Sequence, residues 1–147
     1  VPGRLQAVDH EPLTLLDGAH NPDGITALIE SLPEIIGAAR RGEGRVVAVV
    51  SILDDKDAIG MLSALARVCD ALVFTSSQNP RALPPPTLQS LAGQIDGPPS
   101  EVVRDPRAAL NRARELAGPA GVVLATGSIY LVADLVAPVG RRRASML

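Results

Sequence analysis

Aromatic side chains are nearly absent from this sequence of 147 residues, which contains one Phe, one Tyr and no Trp. A nucleic-acid site based on stacked aromatic rings therefore has nothing to work with. An excess of charge of one sign is missing as well, because the formal net charge is −2. We interpret the one basic run, Arg141-Arg142-Arg143, as part of a solvated tail. We therefore expect no nucleic-acid partner.

Cysteine is almost missing too, since Cys69 is the only one. A single cysteine excludes an internal disulfide and a thiolate metal cluster. It is typical of a reducing compartment, so we expect a cytoplasmic location. No residue near Cys69 in the sequence would lower its pKa, and we do not expect a catalytic thiol.

No apolar run is long enough to cross a membrane. The nearest candidate, residues 121–136, is interrupted by Thr126-Gly127-Ser128 and by Asp134, whereas a span needs about 20 apolar residues. The N-terminus, Val1-Pro2-Gly3, lacks both an initiator Met and the apolar segment of a signal peptide. We expect no membrane partner, and we expect this chain to be part of a longer protein.

Two nucleotide-binding motifs are also absent. The sequence has no Gly-x-x-x-x-Gly-Lys-Ser/Thr, so it cannot cradle a triphosphate in a P-loop. It has no Gly-x-Gly-x-x-Gly after any predicted strand, which disfavours a dinucleotide-binding domain.

What the chain does contain is a regular alternation of apolar runs and amphipathic segments. Strands are predicted at residues 5–8, 13–16, 45–52, 71–75, 101–103 and 121–125. Helices are predicted to begin near residues 22, 59, 87, 106 and 129, and Pro33 should interrupt or bend the first of them. This order predicts an α/β, Rossmann-like, doubly wound and mostly parallel sheet of about six strands. Its N-terminal edge should be antiparallel, with helices on both faces.

Polar turns follow three of these strands, at residues 17–22, 54–57 and 126–128. Because the carboxyl ends of parallel strands share one edge, the three turns should meet there. The first turn holds Asp17 and His20, for which three interpretations stay open. They could bind a metal together with Asp23, form a hydrolase triad with Ser128, or simply satisfy the turn. The triad lacks the Gly-x-Ser-x-Gly elbow that such enzymes use.

The other two turns are equally ambiguous from their residues alone. Ser128 opens a helix after Gly127, which suits either an anion-binding site or an ordinary N-cap. Asp57 is a suitable N-cap for the second helix, while Lys56 could be a solvated charge or a phosphate contact.

The first turn, Leu16-Asp17-Gly18-Ala19-His20-Asn21-Pro22, resembles the signature of folylpolyglutamate synthases and dihydrofolate synthases in the Mur ligase superfamily. Weaker matches elsewhere in the chain occur in the family's order. They are Pro2-Gly3-Arg4, Asp54-Asp55-Lys56-Asp57, Pro80-Arg81-Ala82 and Thr126-Gly127-Ser128-Ile129-Tyr130. The resemblance covers roughly residues 1–136 and only the family's C-terminal domain. It implies a domain over residues 1–137, a tail over 138–147, and an N-terminal ATPase domain that this chain does not contain.

The resemblance also implies an activity, that of an ATP-dependent amide ligase. It would add L-glutamate to dihydropteroate or a tetrahydrofolate through an acyl phosphate. The implied ATP-binding residues are Arg4 and Asp17. The implied glutamate-binding residues are Arg4, His20 and Ser128. His20 and Asp17 are the implied catalytic residues, and weaker site candidates are Asn21, Lys56 and Arg81.

The implied cofactors are ATP and Mg²⁺, with the metal held mainly by the N-terminal ATPase domain rather than by this chain. That domain is the expected partner, in a protein that is otherwise a monomer. Two alternatives remain: a non-catalytic Rossmann-like module that binds an anionic metabolite, and another Mur-type amino-acid ligase domain. The isolated chain should lack ligase activity because the phosphate-binding residues are elsewhere.

Overall fold

A computed structural model describes residues 5–36 and 44–137 of the chain. Three features of the sequence lie outside the described residues. They are Arg4, the run Arg40-Arg41-Gly42, which predicts the end of the first helix, and the tail 138–147 with its three arginines.

Strands and helices alternate through most of the chain. The strands are β1 (Gln6–His10), β2 (Leu13–Leu16), β3 (Val46–Val50), β4 (Ala71–Phe74), β5 (Ser100–Val102) and β6 (Val122–Thr126). The helices are α1 (Pro22–Ile36), α2 (Ala58–Ala66), α3 (Pro85–Gln94), α4 (Pro106–Ala117) and α5 (Ile129–Val136).

The strands form one sheet of six in the order β1-β2-β6-β3-β4-β5. Only β1 runs antiparallel to its neighbour, and the other described pairs are parallel. The prediction of a mostly parallel sheet with an antiparallel N-terminal edge is confirmed. The central strands β3 and β6 are nearly continuous apolar runs, as expected of strands that are buried on both faces.

Helices cover both faces of the sheet. One apolar cluster joins the sheet to α1, α2 and α3, and a second joins it to α4 and α5. In α4 the buried positions are Pro106, Ala109, Ala113 and Ala117, and the three alanines repeat every fourth residue on one helix face. These small side chains fill the layer between α4 and the sheet, where bulkier residues would hold the helix away.

Several predicted bounds differ from the observed ones by one or two residues, and prolines shape two of the helices. Helix α1 contains Pro33 and continues to Ile36. The buried Leu28 and Leu32 hold this turn against the core, and Pro33 itself is exposed. Helix α3 begins at Pro85 rather than at Thr87, because proline is well suited to the first turn of a helix.

Among the described residues, no helix combines the length and the apolar character needed to cross a membrane.

Cys69 lies between α2 and β4 with 7% of its surface exposed. Burial, with a smaller contribution from the charge of Asp70, raises the pKa of its thiol to about 12. Because the thiolate is the reactive form, we expect almost no alkylation of the folded chain by iodoacetamide at pH 8. Mass spectrometry in native buffer and in urea checks this, and modification should be rapid only in urea. Equal rates in both conditions would contradict the buried placement.

Candidate functional site at the carboxyl edge of the sheet

Backbone hydrogen bonds join the three predicted turns at the carboxyl edge. The Asp17 amide donates to the carbonyl of Ala125 at 3.0 Å, and the Gly127 amide donates to the carbonyl of Ala19 at 3.0 Å. The turns after β2 and β6 are thus bonded to each other in both directions. The structure therefore fixes their side chains relative to one another.

The loop between β4 and α3 reaches the turn after β3 and is bonded to it. The Leu83 amide donates to the carbonyl of Ile52 at 2.9 Å, and the Asp54 amide donates to the carbonyl of Arg81 at 2.8 Å. The bonds hold Arg81 beside residues 54–57.

An open cavity of about 240 Å³ lies where these turns meet. One part of its lining is polar and carries His20, Asp55, Lys56, Arg81 and Ser128. The other part is apolar and consists of Leu53, Ile129 and Tyr130. Four of the predicted site residues, from turns far apart in sequence, therefore share one cavity.

His20 is exposed, and its ring is oriented by its own turn. The Nδ1 atom lies 3.2 Å from the carbonyl oxygen of Gly18. Because a carbonyl oxygen only accepts, this contact assigns the hydrogen of the neutral ring to Nδ1. The Nε2 atom then carries a lone pair that can accept a proton.

Asp17 is half-buried and is held by two backbone donors. Its Oδ1 accepts from the Leu5 amide at 2.8 Å and its Oδ2 from the Ala19 amide at 3.0 Å. It does not line the cavity. An ionised carboxylate offers about four acceptor positions, so two remain for another group.

Asn21 serves the helix rather than the cavity. Its side-chain oxygen accepts from the Gly24 amide at 2.7 Å, and its carbonyl accepts from the Ile25 amide at 3.0 Å. These are the bonds of an N-cap, so Asn21 caps the N-terminal end of α1. It is not among the residues that line the cavity.

Ser128 both caps α5 and lines the cavity, so its two sequence interpretations are compatible. It is 1% exposed, and its Oγ accepts from the Tyr130 amide at 3.0 Å. Accepting this bond leaves the hydroxyl hydrogen available to donate. The N-terminal end of α5 adds a favourable field for a negatively charged group.

Arg81 forms ion pairs with Asp54 and Asp55, the two adjacent acidic residues in the turn after β3. Its Nη2 lies 2.9 Å from Asp55 Oδ2, and its Nε lies 3.3 Å from Asp54 Oδ1. The hydrogen bond and charge of Asp55 raise the pKa of Arg81 above its usual value. Partial burial opposes ionisation of Asp55, but Arg81 outweighs it and the pKa of that carboxyl is lowered. Both groups are therefore charged at neutral pH.

The metal interpretation of the first turn finds no support in the geometry. In residues 5–36 and 44–137, no three His, Cys, Asp or Glu side chains are placed so that they could hold one ion. Asp23, the third ligand of that hypothesis, is exposed on the first turn of α1.

Four residues of the lining were not predicted from the sequence: Leu53, Asp55, Ile129 and Tyr130. Ile129 and Tyr130 are 53% and 43% exposed, although an apolar pair at the start of a helix is usually assigned to the core. Asp55 lies next to Lys56 in the turn after β3. Its position in that turn was the available signal, but nothing in the sequence tells which of the adjacent acidic residues faces the cavity.

Replacing Ser128 by Ala should have two effects, a loss of stability and a loss of ligand binding in the cavity. Loss of the cap should lower the free energy of unfolding by about 1 kcal/mol, as is typical of N-caps. Asp105→Ala is the matched control, because Asp105 caps α4 with a bond of 2.9 Å to the Ala108 amide. Urea denaturation should give similar losses for both variants.

In the protein that contains this chain, only Ser128→Ala should also raise the Kd of a ligand bound in the cavity. An equal rise in the Kd of the Asp105 variant would show that Ser128 acts only through stability.

Comparison of the chain with known proteins identifies its family. Residues 3–129 match the family model described as the Mur ligase, glutamate ligase domain. A dihydrofolate synthase/folylpolyglutamate synthase of Mycobacterium tuberculosis is 41% identical over 98 residues, 66% of this chain and 19% of that protein.

Two solved structures show the same fold. A Mycobacterium tuberculosis folylpolyglutamate synthase complexed with ADP and AMPPCP superposes with a TM-score of 0.81 and 33% identity, over 92% of this chain and 31% of that one. A bifunctional folylpolyglutamate synthase/dihydrofolate synthase with Mn, AMPPNP and L-glutamate bound superposes with a TM-score of 0.75 and 31% identity. That match covers 100% of this chain and 32% of the other.

The chain thus spans less than a third of the length of these relatives. The family model, in contrast, covers most of the chain and all three turns that meet at the cavity. This chain belongs to the Mur ligase family, as its glutamate ligase domain.

Proposed function

We propose that this chain is the C-terminal, glutamate-binding domain of an ATP-dependent amide ligase that acts on dihydropteroate, tetrahydrofolates or both. The observation that carries the proposal is the cavity in which His20, Lys56, Arg81 and Ser128 meet. Cationic groups and a hydroxyl donor suit a dicarboxylic amino acid. The similarity to folylpolyglutamate synthases, one of them with L-glutamate bound, supports glutamate as that amino acid.

The proposed reaction has two steps. First, the γ-phosphoryl group of ATP moves to a carboxylate oxygen of the folate or pteroate, giving an acyl phosphate and ADP. Then the amino nitrogen of glutamate attacks the acyl carbon, a C–N bond forms, the C–O bond to phosphate breaks, and phosphate leaves. The glutamate nitrogen, which binds as an ammonium group, gives one proton to a base before it attacks and a second, once the C–N bond has formed, to the departing phosphate.

The residues of the cavity fit parts of the second step. His20 presents Nε2 as a proton acceptor, because Nδ1 is occupied by the carbonyl of Gly18. The Ser128 hydroxyl can donate to a glutamate carboxylate, and Lys56 can neutralise one. Arg81 can approach a carboxylate in the same cavity, although Asp54 and Asp55 already share its charge.

ATP would approach from the side of the first turn. Asp17 keeps acceptor positions beyond its two backbone bonds, which suits ribose hydroxyls or an arginine. We propose Arg4 as that arginine from its position in the family motif. The described residues do not provide a metal site of their own, so we propose that Mg²⁺ is held by the N-terminal ATPase domain.

The proposal assigns a domain arrangement as well. Residues 1–137 form the ligase domain, residues 138–147 form a tail, and an N-terminal ATPase domain provides the phosphate-binding loop. Closure of the two domains would exclude water from the acyl phosphate, which water would otherwise hydrolyse. We further propose a cytoplasmic monomer, in keeping with a buried free thiol at Cys69.

The experiment compares the full-length protein with the 147-residue chain. Each is incubated with ATP, Mg²⁺, L-glutamate and either dihydropteroate or tetrahydrofolate, and the product is identified by mass spectrometry. The full-length protein should add a glutamyl residue, and the 147-residue chain should add none. Ligation by the short chain alone would overturn the assignment of the phosphate chemistry to another domain.

The same assay addresses the two alternatives. A full-length protein that binds an anionic metabolite without releasing ADP would be a binding module. One that releases ADP only with a different amino acid would be another Mur-type ligase. Either result would contradict the proposed substrate.

A further inference from the structure

The cavity holds charged side chains of both signs, and the proposed function gives no role to the negative one. Lys56 and Arg81 are cationic, and His20 presents a proton acceptor beside them. Asp55 is the single carboxylate among the lining residues of the described chain. A site for carboxylates alone would be better without it, because it repels them.

The position of Asp55 is fixed by its ion pair. Its Oδ2 lies 2.9 Å from Arg81 Nη2, and the carbonyl of Arg81 accepts from the neighbouring Asp54 amide at 2.8 Å. The Asp55 side chain is nevertheless 47% exposed, so a ligand in the cavity can reach it. Asp55 is therefore charged, held in place and accessible.

A free α-amino acid with an acidic side chain carries two carboxylates and one ammonium. In the cavity, the cations and the hydroxyl donor complement the two carboxylates, and the carboxylate of Asp55 complements the ammonium. We infer that Asp55 binds the α-ammonium group of the incoming amino acid and selects amino acids over simple dicarboxylates. This inference rests on the proposed function, because it assumes that the cavity takes the amino-acid substrate.

Asp54 provides a matched comparison within the same turn. It also pairs with Arg81, at 3.3 Å, and its side chain is similarly exposed, at 54%. It does not belong to the cavity lining in the part of the chain that the structure describes. Removing either carboxylate thus removes one ion pair of Arg81, but only Asp55 can meet a ligand.

The test measures equilibrium binding to the full-length protein in the presence of AMPPNP by isothermal titration calorimetry. The ligands are L-glutamate and glutarate, which has the same two carboxylates and no amino group. Asp55→Asn should raise the Kd for L-glutamate about 10- to 100-fold, the range for loss of a charge-assisted hydrogen bond. The same variant should bind glutarate as tightly as the unmodified protein or more tightly. Asp54→Asn should change neither value by more than about twofold.

Other outcomes overturn the inference. If Asp55→Asn weakens both ligands equally, Asp55 acts only by positioning Arg81. If it weakens neither, or if the unmodified protein binds neither ligand, Asp55 does not recognise the ammonium group. Failure of the proposed function is recognised separately, by absence of glutamate-dependent ADP release from the unmodified protein.

Discussion

Replacing Gly127 by Ala is expected to lower the free energy of unfolding by about 3 kcal/mol or more, the range of strongly destabilising substitutions. Gly127 has φ +108°, which side chains rarely adopt, and an added Cβ would lie 2.4 Å from the carbonyl oxygen of Ser51. The neighbouring atom belongs to the backbone, so it cannot simply rotate away. The substitution should also displace Ser128, the next residue, from the cavity.

Gly93→Ala is the control for the Gly127 substitution. Gly93 lies in α3, and its added Cβ would meet nothing within 4 Å. Alanine there should leave stability unchanged or raise it by up to about 1 kcal/mol, because alanine favours a helix more than glycine does. Urea denaturation followed by circular dichroism measures both. A Gly127→Ala variant as stable as the Gly93→Ala variant would contradict the tight turn between β6 and α5.

Replacing His20 by Ala in the full-length protein should reduce kcat/KM for L-glutamate about 10²- to 10⁴-fold, the range for loss of a general base. His20 is exposed, so the fold should be nearly unaffected. The proposed base is Nε2, since Nδ1 lies at 3.2 Å from the carbonyl of Gly18. Initial rates of ADP release at varied L-glutamate concentration measure the effect.

Two further variants separate catalysis from support of the turn. His20→Asn keeps an amide donor near the position of Nδ1 but cannot accept a proton, so it should be as impaired as His20→Ala. His10→Ala changes the other histidine, in the edge strand β1, and should retain the original rate. Recovery of activity in His20→Asn would show that His20 only holds the turn together.

The order of elements could be predicted from the sequence because burial leaves a strong pattern. The β-branched run of β3 favours a strand, and the four-residue spacing of the buried alanines in α4 is typical of a helix. Predicted bounds differ from the observed ones by one or two residues at several strands, and by two residues at the start of α3. Pro33 lies inside α1 because the neighbouring leucines are buried in the core, and this tertiary packing outweighs the local preference.

The candidate site could be located from the sequence, but only half of its lining residues could be predicted. Strand order brings the turns that hold His20, Lys56 and Ser128 to one edge, which was predicted. The direction in which each side chain of a turn points could not be predicted from the sequence. Asp54 and Asp55 are adjacent and chemically identical, and only the backbone bonds of the turn decide which one faces the cavity.

The apolar part of the lining was missed for a related reason. Ile129 and Tyr130 have the composition of core residues, but they lie on the first turn of α5, where the helix emerges from the sheet edge. Exposure of such a pair depends on what packs around the turn. That information is tertiary and leaves no local signal.

The central claim is that this cavity holds the amino-acid substrate of a ligase. It is tested most directly by a crystal structure of the full-length protein with AMPPNP and L-glutamate. We predict glutamate carboxylates within hydrogen-bond distance of Ser128 and Lys56, with the amino nitrogen facing Asp55. Glutamate bound elsewhere, with this cavity empty or filled by the nucleotide, would contradict the account.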